Sequence, residues 1–245
     1  MKDYKDVVAD RYDKLAETDF NVKTTLKWMA SQLKLSADLF QVLKKIDSQG
    51  HSLANARILE VGCGDGRWIR FIAEITHQPE HITGTDLSAP RVALAKKMNP
   101  AIECQVADVV ETPIDEKFDI ILAWDVFTHL KTKEQIQKAL RNIHNALSER
   151  GVFIFFDAWA KTHFKSVANE DSHGYRPEEV VHLAGIEGFT SIFRKNIFRI
   201  FPGGRHSEQY YEFLPTWFVR FFEIICPTPP GNFFIVFRRR ESEAK

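Results

Sequence analysis

Ile58-Leu59-Glu60-Val61-Gly62-Cys63-Gly64-Asp65-Gly66-Arg67-Trp68 is the stretch whose reading decides the fold. Three β-compatible apolar residues carry one acid among them and run straight into glycines at alternate positions; a helical pattern follows. Glycine costs backbone entropy, so three within five residues need a reason. A ligand lying against bare backbone, where a strand turns into a helix, supplies one. The spacing is G-x-G-x-G. It departs from the G-x-G-x-x-G of dinucleotide folds, and no Gly-Lys-Ser/Thr follows, so it is not a P-loop. Glu60 and Asp65 would repel phosphate. The ligand should therefore carry positive charge or hydroxyls.

Working outward, strands and helices alternate. Arg57–Val61, His81–Asp86, Glu103–Val106, Phe118–Trp124 and Val152–Phe156 read as strands. Arg67–Ile75, Ala89–Met98 and Thr132–Leu147 read as helices between them, with Gly151 ahead of the fifth strand. The apolar run Phe118–Trp124 suits the centre of a parallel sheet. This order predicts an α/β fold: a Rossmann-like, doubly wound, mostly parallel sheet with helices on both faces. Pro177–Ala184 reads as a short helix, and Phe189–Phe201 and Asn232–Arg239 as the last strands. In such sheets ligands sit at the carboxyl ends of the strands. Asp86 ends the second strand, where it can accept from ribose hydroxyls. Asp108 follows the third, where it can accept from an adenine amino group. Glycines, Asp86 and Asp108 together describe a pocket for an adenosine with a cationic appendage.

These motifs resemble those of the class I S-adenosylmethionine-dependent methyltransferases, small-molecule type. ILEVGCGDG is similar to their first motif, ITGTDLS to their second and CQVADV to their third. FDIILAWDVFTHL and NALSERGVFIFFD match their fourth and fifth strand regions, and YRPEEVVHLAGIEGF their approach to the sixth. The likeness covers about residues 56–200 and the final strand. It implies a seven-stranded sheet with its last strand antiparallel, S-adenosyl-L-methionine as cofactor and S-adenosyl-L-homocysteine as product. It also implies that Glu60, Gly62, Gly64 and Gly66 shape the methionine end and that Asp86, with Leu87, holds the ribose. Ala107, Asp108 and Val109 would contact adenine; Trp124 and Asp125 would border cofactor and acceptor.

Methyl transfer needs a base only if the nucleophile must lose a proton. His129, just past the fourth strand, is the first candidate; capping or packing the next helix is its other reading. His163, His173 and Tyr175 read as loop residues near the acceptor. Asp157 reads as a base or, more simply, a hydrogen-bonding end-of-strand residue. Cys63 has no evident His partner and reads as a small packing residue. Arg238-Arg239-Arg240 reads as a solvated strand end, with a phosphate or membrane contact as the alternative.

The 245 residues hold 33 basic and 33 acidic side chains, which gives no electrostatic case for a nucleic-acid partner. Three scattered cysteines suit a reduced, cytoplasmic protein and suggest no metal site. No stretch is long and apolar enough for a membrane span. Residues 1–50 read as an N-terminal helical extension in which Tyr4 and Tyr12 could cap a site. Residues 51–245 read as the cofactor-binding domain. Within it, 202–231 is an aromatic insertion with apolar residues at helical spacing from Leu214 to Ile225. Packing on the sheet or lining a substrate cavity is its first use, a homodimer contact its second, peripheral membrane contact its third. The Asn/Asp-Pro-Pro-Tyr/Phe pattern of enzymes acting on base amino nitrogens is absent after the fourth strand. A small-molecule, glycan or lipid-linked acceptor is therefore expected, with oxygen ahead of nitrogen. Two other readings stay open: a cofactor-binding partner subunit without turnover, and an aminopropyl transferase on the same fold.

Overall fold

The computed structural model describes residues 4–22, 26–160, 173–198, 221 and 230–240. Two helices, α1 (Tyr4–Val22) and α2 (Leu26–Ser48), precede the first strand. The strands are β1 (Ile58–Val61), β2 (Ile82–Asp86), β3 (Glu103–Val106), β4 (Phe118–Trp124), β5 (Leu147–Ala158), β6 (Phe189–Phe198) and β7 (Pro230–Arg239). Helices α3 (Arg67–Thr76), α4 (Ala89–Met98), α5 (Lys133–Ala146) and α6 (Pro177–Ile186) connect them. One sheet holds all seven strands in the order β3-β2-β1-β4-β5-β7-β6. The first five run parallel, and β7 runs antiparallel to both β5 and β6. The Rossmann-like, doubly wound expectation is met.

Side chains alternate across the sheet, as the strand period demands. Ile120, Leu122 and Trp124 of β4 face α2, α3 and α4, where they join Leu39, Val42, Leu43 and Ile46 of α2. Ile121 and Ala123 face α5 and α6. Phenylalanines of β5 and β7 continue both layers: Phe156 and Phe234 on one face, Phe153, Phe155, Phe233 and Phe237 on the other. Both faces are covered, which is why β4 reads as an unbroken apolar run. On α2, Phe40 is 44% exposed, because it lies off the arc defined by Leu39, Val42 and Ile46.

β5 begins five residues earlier than the glycine at 151 suggested. Leu147 pairs with Phe118 and Val152 with Ile120, with a register shift between. Gly151 sits in that irregularity, and a Cβ there would lie 2.9 Å from the Phe118 carbonyl oxygen. The glycine is thus inside the strand rather than ahead of it. Among the described residues, no helix is long and apolar enough to cross a membrane. The insertion 202–231, apart from Phe221, Pro230 and Gly231, lies outside the described residues, as do His163 and the strand end 199–201. Phe221 is helical and 52% exposed.

Candidate functional site

At the carboxyl ends of β1, β2, β3 and β4 lies a cavity of about 330 Å³. Its floor is the glycine turn. Gly62, Gly64 and Gly66 all have positive φ, at 72°, 55° and 79°, a region L side chains rarely adopt. A Cβ on Gly62 would also lie 2.4 Å from Val126 Cγ2. The turn is tied down at both ends: the Cys63 N–H donates to the Thr85 carbonyl (2.8 Å) and the Gly66 N–H to the Cys63 carbonyl (2.9 Å).

Two carboxyls support this floor from inside. Glu60 lines the cavity and is 1% exposed; its Oε2 accepts from the Ile69 N–H at 3.1 Å, and its buried Oε1 has no hydrogen-bond partner among the described residues. Burial pushes this carboxyl well above the usual range, against the opposing Ile69 hydrogen bond. Asp86 accepts from the Gly64 N–H through Oδ2 (2.8 Å) and from the Ser88 N–H through Oδ1 (2.9 Å). Burial raises it too, and those two bonds and the Arg91 charge hold it down. A carboxylate has about four lone-pair sites, so Asp86 keeps acceptor capacity toward the cavity.

Beyond β3, Ala107, Asp108 and Val109 form one wall. The Ala107 N–H donates to the Asp86 carbonyl, and Asp108 Oδ1 accepts from the Val110 N–H at 2.9 Å. Asn142 of α5 buttresses this loop by donating to the Val109 carbonyl. Opposite stand Trp124 and Asp125. The Trp124 ring stacks on Trp68 and on Phe156, both at 3.8 Å between centroids. Asp125 has φ 53°, a strained setting that an aspartate tolerates better than most residues. Every residue expected from the sequence at the cofactor site, Leu87 included, lines this one cavity or, for Gly66, closes the turn beneath it.

His129 also lines it, on a short 3₁₀ turn (Phe127–His129), and is 9% exposed. Its Nε2 lies 2.6 Å from the Tyr12 hydroxyl, with the two rings edge to face. It does not cap the next helix: Thr132 and Gln135 form a capping box there. Tyr12 reaches the site from α1, and two neighbours on that helix join it. Lys5 pairs with Asp108 at 3.0 Å, and Asp13 accepts from the Ser88 hydroxyl. The Arg91 guanidinium packs over the Tyr12 ring at 4.8 Å. Burial pushes the Tyr12 phenol up to about 12.

Several residues sort elsewhere. Asp157 is fully buried, accepts from the Thr128 and Ala158 N–H groups, and is pushed well up by burial and by the Asp125 charge. It is a strand-end anchor. Tyr175, expected in a solvated loop, is 1% exposed and donates to the Phe127 and Leu130 carbonyls, so it fixes the turn that carries His129. Cys63 is a buried packing residue against Gly84. Arg239 and Arg240 donate to the Leu147 and Gly185 carbonyls. Sequence reasoning passed over Arg67, Trp68, Arg91, Gln32 and Leu35, which all line the cavity. Arg67 and Trp68 directly follow the last glycine, which was a usable signal; Gln32 and Leu35 on α2 offered none.

Residues 58–151 match a family profile described as a methyltransferase domain. Together with the strand order and the glycine turn, that decides the assignment. Residues 58–151 carry a methyltransferase domain, set in the fold of the S-adenosylmethionine-dependent methyltransferases. Among curated relatives, a putative methyltransferase of Invertebrate iridescent virus 6 is 23% identical over 61% of this chain and 56% of its own length. The malonyl-[acyl-carrier protein] O-methyltransferase of Bacillus anthracis is 25% identical over 60% and 59%. The chain thus spans less than two thirds of the length of these curated relatives. In fold, the domain is similar to magnesium protoporphyrin IX methyltransferase from Synechocystis PCC 6803 with bound S-adenosylhomocysteine. That likeness has a TM-score of 0.66 at 12% identity and covers 97% of this chain and 100% of that one. S-adenosylmethionine is the cofactor of this methyltransferase fold, and the cavity's own features suit it: a bare-backbone turn, a buried carboxyl oxygen without a partner, and the carboxyls of Asp86 and Asp108.

Proposed function

We propose that the chain transfers the methyl group of S-adenosyl-L-methionine to an oxygen, or a nitrogen, of a small-molecule, glycan or lipid-linked acceptor. The convergence of the glycine turn, Asp86 and Asp108 on one cavity carries this reading. Glu60, Gly62, Gly64 and Gly66 hold the methionine end, and Asp86 and Leu87 the ribose. Ala107, Asp108 and Val109 hold adenine, and Trp124 and Asp125 border cofactor and acceptor. The sulfonium supplies an electrophilic methyl group. The protein's own task is to align the nucleophile and exclude water, which suits a cavity walled by Trp68 and Trp124. For a hydroxyl acceptor, His129 takes the proton. Its Nε2 is engaged by Tyr12, so the proton arrives at Nδ1 or through that phenol. Two relatives named as O-methyltransferases, from Bacillus anthracis and Nitrobacter winogradskyi, support oxygen. Residues 1–50 act as a helical extension to a domain spanning 51–245, with 202–231 as the acceptor-side element. Free Cys63 and Cys104 suit a cytoplasmic setting.

Asp86→Ala tests the cofactor assignment. Losing hydrogen bonds to a charged group should weaken S-adenosylhomocysteine binding by about 1–3 kcal/mol. A folded variant with wild-type affinity by calorimetry overturns the ribose contact. For the acceptor, a methyl-transfer assay across classes that yields product solely on nucleic acid or protein overturns the small-molecule reading.

A further inference from the structure

We infer that Cys63 and Cys104 form a thiol–disulfide switch beneath the proposed donor site, one that hydrogen peroxide closes and a thiol reductant reopens. Its effect on ligand binding rests on the cofactor reading above. Cys63 lies in the glycine turn, between Gly62 and Gly64, and lines the cavity. Cys104 lies on β3, at the edge of the sheet. Both are free thiols, 4% and 1% exposed, and both belong to the core layer that holds Ile69 and Ala95. Strand β2 runs between the turn and β3, and the residue it places there is Gly84, which pairs with Cys104 across the ladder. A Cβ on Gly84 would lie 2.9 Å from Cys63 Sγ and 3.0 Å from Cys63 Cβ. A glycine inside a strand weakens it and marks a close approach. Here the bare backbone leaves the gap across which the two thiols share a hydrogen bond.

Methyl transfer as proposed uses neither sulfur. The hydrogen bond to Cys104 and burial push the Cys63 thiol up, so it keeps its proton and reacts slowly. The same bond holds Cys104 down. The roles divide accordingly. Cys63, in the cavity wall, meets a small oxidant first. Its sulfur attacks one peroxide oxygen, the O–O bond breaks, and the departing hydroxide takes the thiol proton and leaves as water. The Cys104 sulfur then attacks the sulfenic sulfur of Cys63, the S–O bond breaks, and the hydroxide leaves as a second water with the Cys104 proton. Two thiols are oxidised to one disulfide, and one peroxide is reduced to two waters. In a reducing compartment such a bond is transient and regulatory rather than structural. Drawing the sulfurs from contact to a bond of about 2.05 Å ties the glycine turn to β3. Whichever end gives way, a wall of the cavity shifts: the turn on one side, or Ala107 and Asp108, just beyond β3, on the other.

The test uses the full wild-type chain in three states: reduced, oxidised with hydrogen peroxide, and re-reduced with dithiothreitol. Peptide mapping of the oxidised chain should find Cys63 linked to Cys104. Calorimetry should find S-adenosylhomocysteine bound about tenfold or more weakly by the linked chain. The loss should rise in step with the linked fraction and disappear on re-reduction, which dithiothreitol could not achieve for oxidised methionine. A map in which Cys63 ends as a sulfinic acid, or is linked to Cys226 instead, would overturn the inference. So would a linked chain that binds S-adenosylhomocysteine as tightly as the reduced one. A reduced chain that does not bind S-adenosylhomocysteine would instead refute the cofactor reading, and with it the effect on binding, while the map would still decide whether the two thiols join.

Discussion

Beneath the cavity, Glu60 and the glycine turn hang from β1, buried along its length, and Asp86 from β2, buried on one face and half-buried on the other. Above it, Lys5, Tyr12 and Asp13 hang from one helix, α1, in which Val8 is the buried apolar side chain among the described residues. The floor recognises through backbone: three positive-φ glycines and N–H groups donating to buried carboxyls. Among the described residues the roof's contacts with the site are made through side chains, among them the Lys5–Asp108 ion pair, the Ser88–Asp13 hydroxyl–carboxylate bond, the Tyr12–His129 bond and the Arg91–Tyr12 ring contact. Backbone packed in a core cannot yield locally, whereas side-chain contacts open one at a time. On the proposed reading, the floor would set what binds and the roof how readily it enters and leaves.

The harshest way to break the floor is Gly62→Ala. The new Cβ would meet Val126 Cγ2 at 2.4 Å, in a backbone conformation at φ 72°. Left-handed strain of about 1–2 kcal/mol adds to overpacking of about 1–3 kcal/mol. Unfolding in urea should show a loss of about 2–5 kcal/mol, and S-adenosylhomocysteine binding should disappear. Adding Val126→Ala removes the clash but not the strain, so it should restore part of the stability. Full restoration would mean that the positive φ costs nothing and that the turn does not need glycine.

A subtler assault on the floor is protonic. The Glu60 carboxyl lies well above its ordinary value of 4.5 in the folded chain, chiefly through burial. A raised carboxyl contributes stability that is complete below the unfolded value and is lost as pH rises through the folded one. Glu60→Gln stays neutral throughout. Without ligand, the wild type should lose stability relative to Glu60→Gln as pH climbs above 4.5. Melting curves collected across that range measure it. Parallel curves would place Glu60 in water.

The floor was legible in the sequence because each of its signals is local. Glu60 to Gly66 is continuous, and Asp86 and Asp108 lie at or just past the ends of short strands set off by the helices between them. Where local signals misled, a distant partner was at work. Gly151 reads as a stop, but β4 pairs on both sides of it. Tyr175 lies in a polar stretch, but its ring packs edge to face on Phe155, and Trp159 bridges it to β5. The roof is the extreme case, since Tyr12 and His129 are 117 residues apart. A tyrosine on the face of an N-terminal helix suggests a cap over something; nothing in the chain says which histidine it meets. Arg67 lines the cavity as the first side chain after three glycines, in a stretch whose signal lies in its backbone.

Tyr12→Phe probes the roof with the smallest expected effect. The ring remains, so its edge-to-face contact with His129 and the Arg91 packing survive. What disappears is one hydrogen bond. The phenol, pushed up to about 12, keeps its proton between pH 6 and 9, so the loss should not vary with Tyr12 ionisation, in contrast to the Glu60 effect. A neutral hydrogen bond contributes about 0.5–1.5 kcal/mol net, and that energy acts on the opening of α1 more than on the sheet. Dissociation of S-adenosylhomocysteine, followed by chase with excess ligand, should quicken by about 2–13-fold. Unfolding in urea should barely change. A variant with the wild-type dissociation rate would mean that ligand leaves by a route other than α1. A variant that destabilises the whole chain instead would make α1 part of the core, and the distinction between floor and roof would collapse.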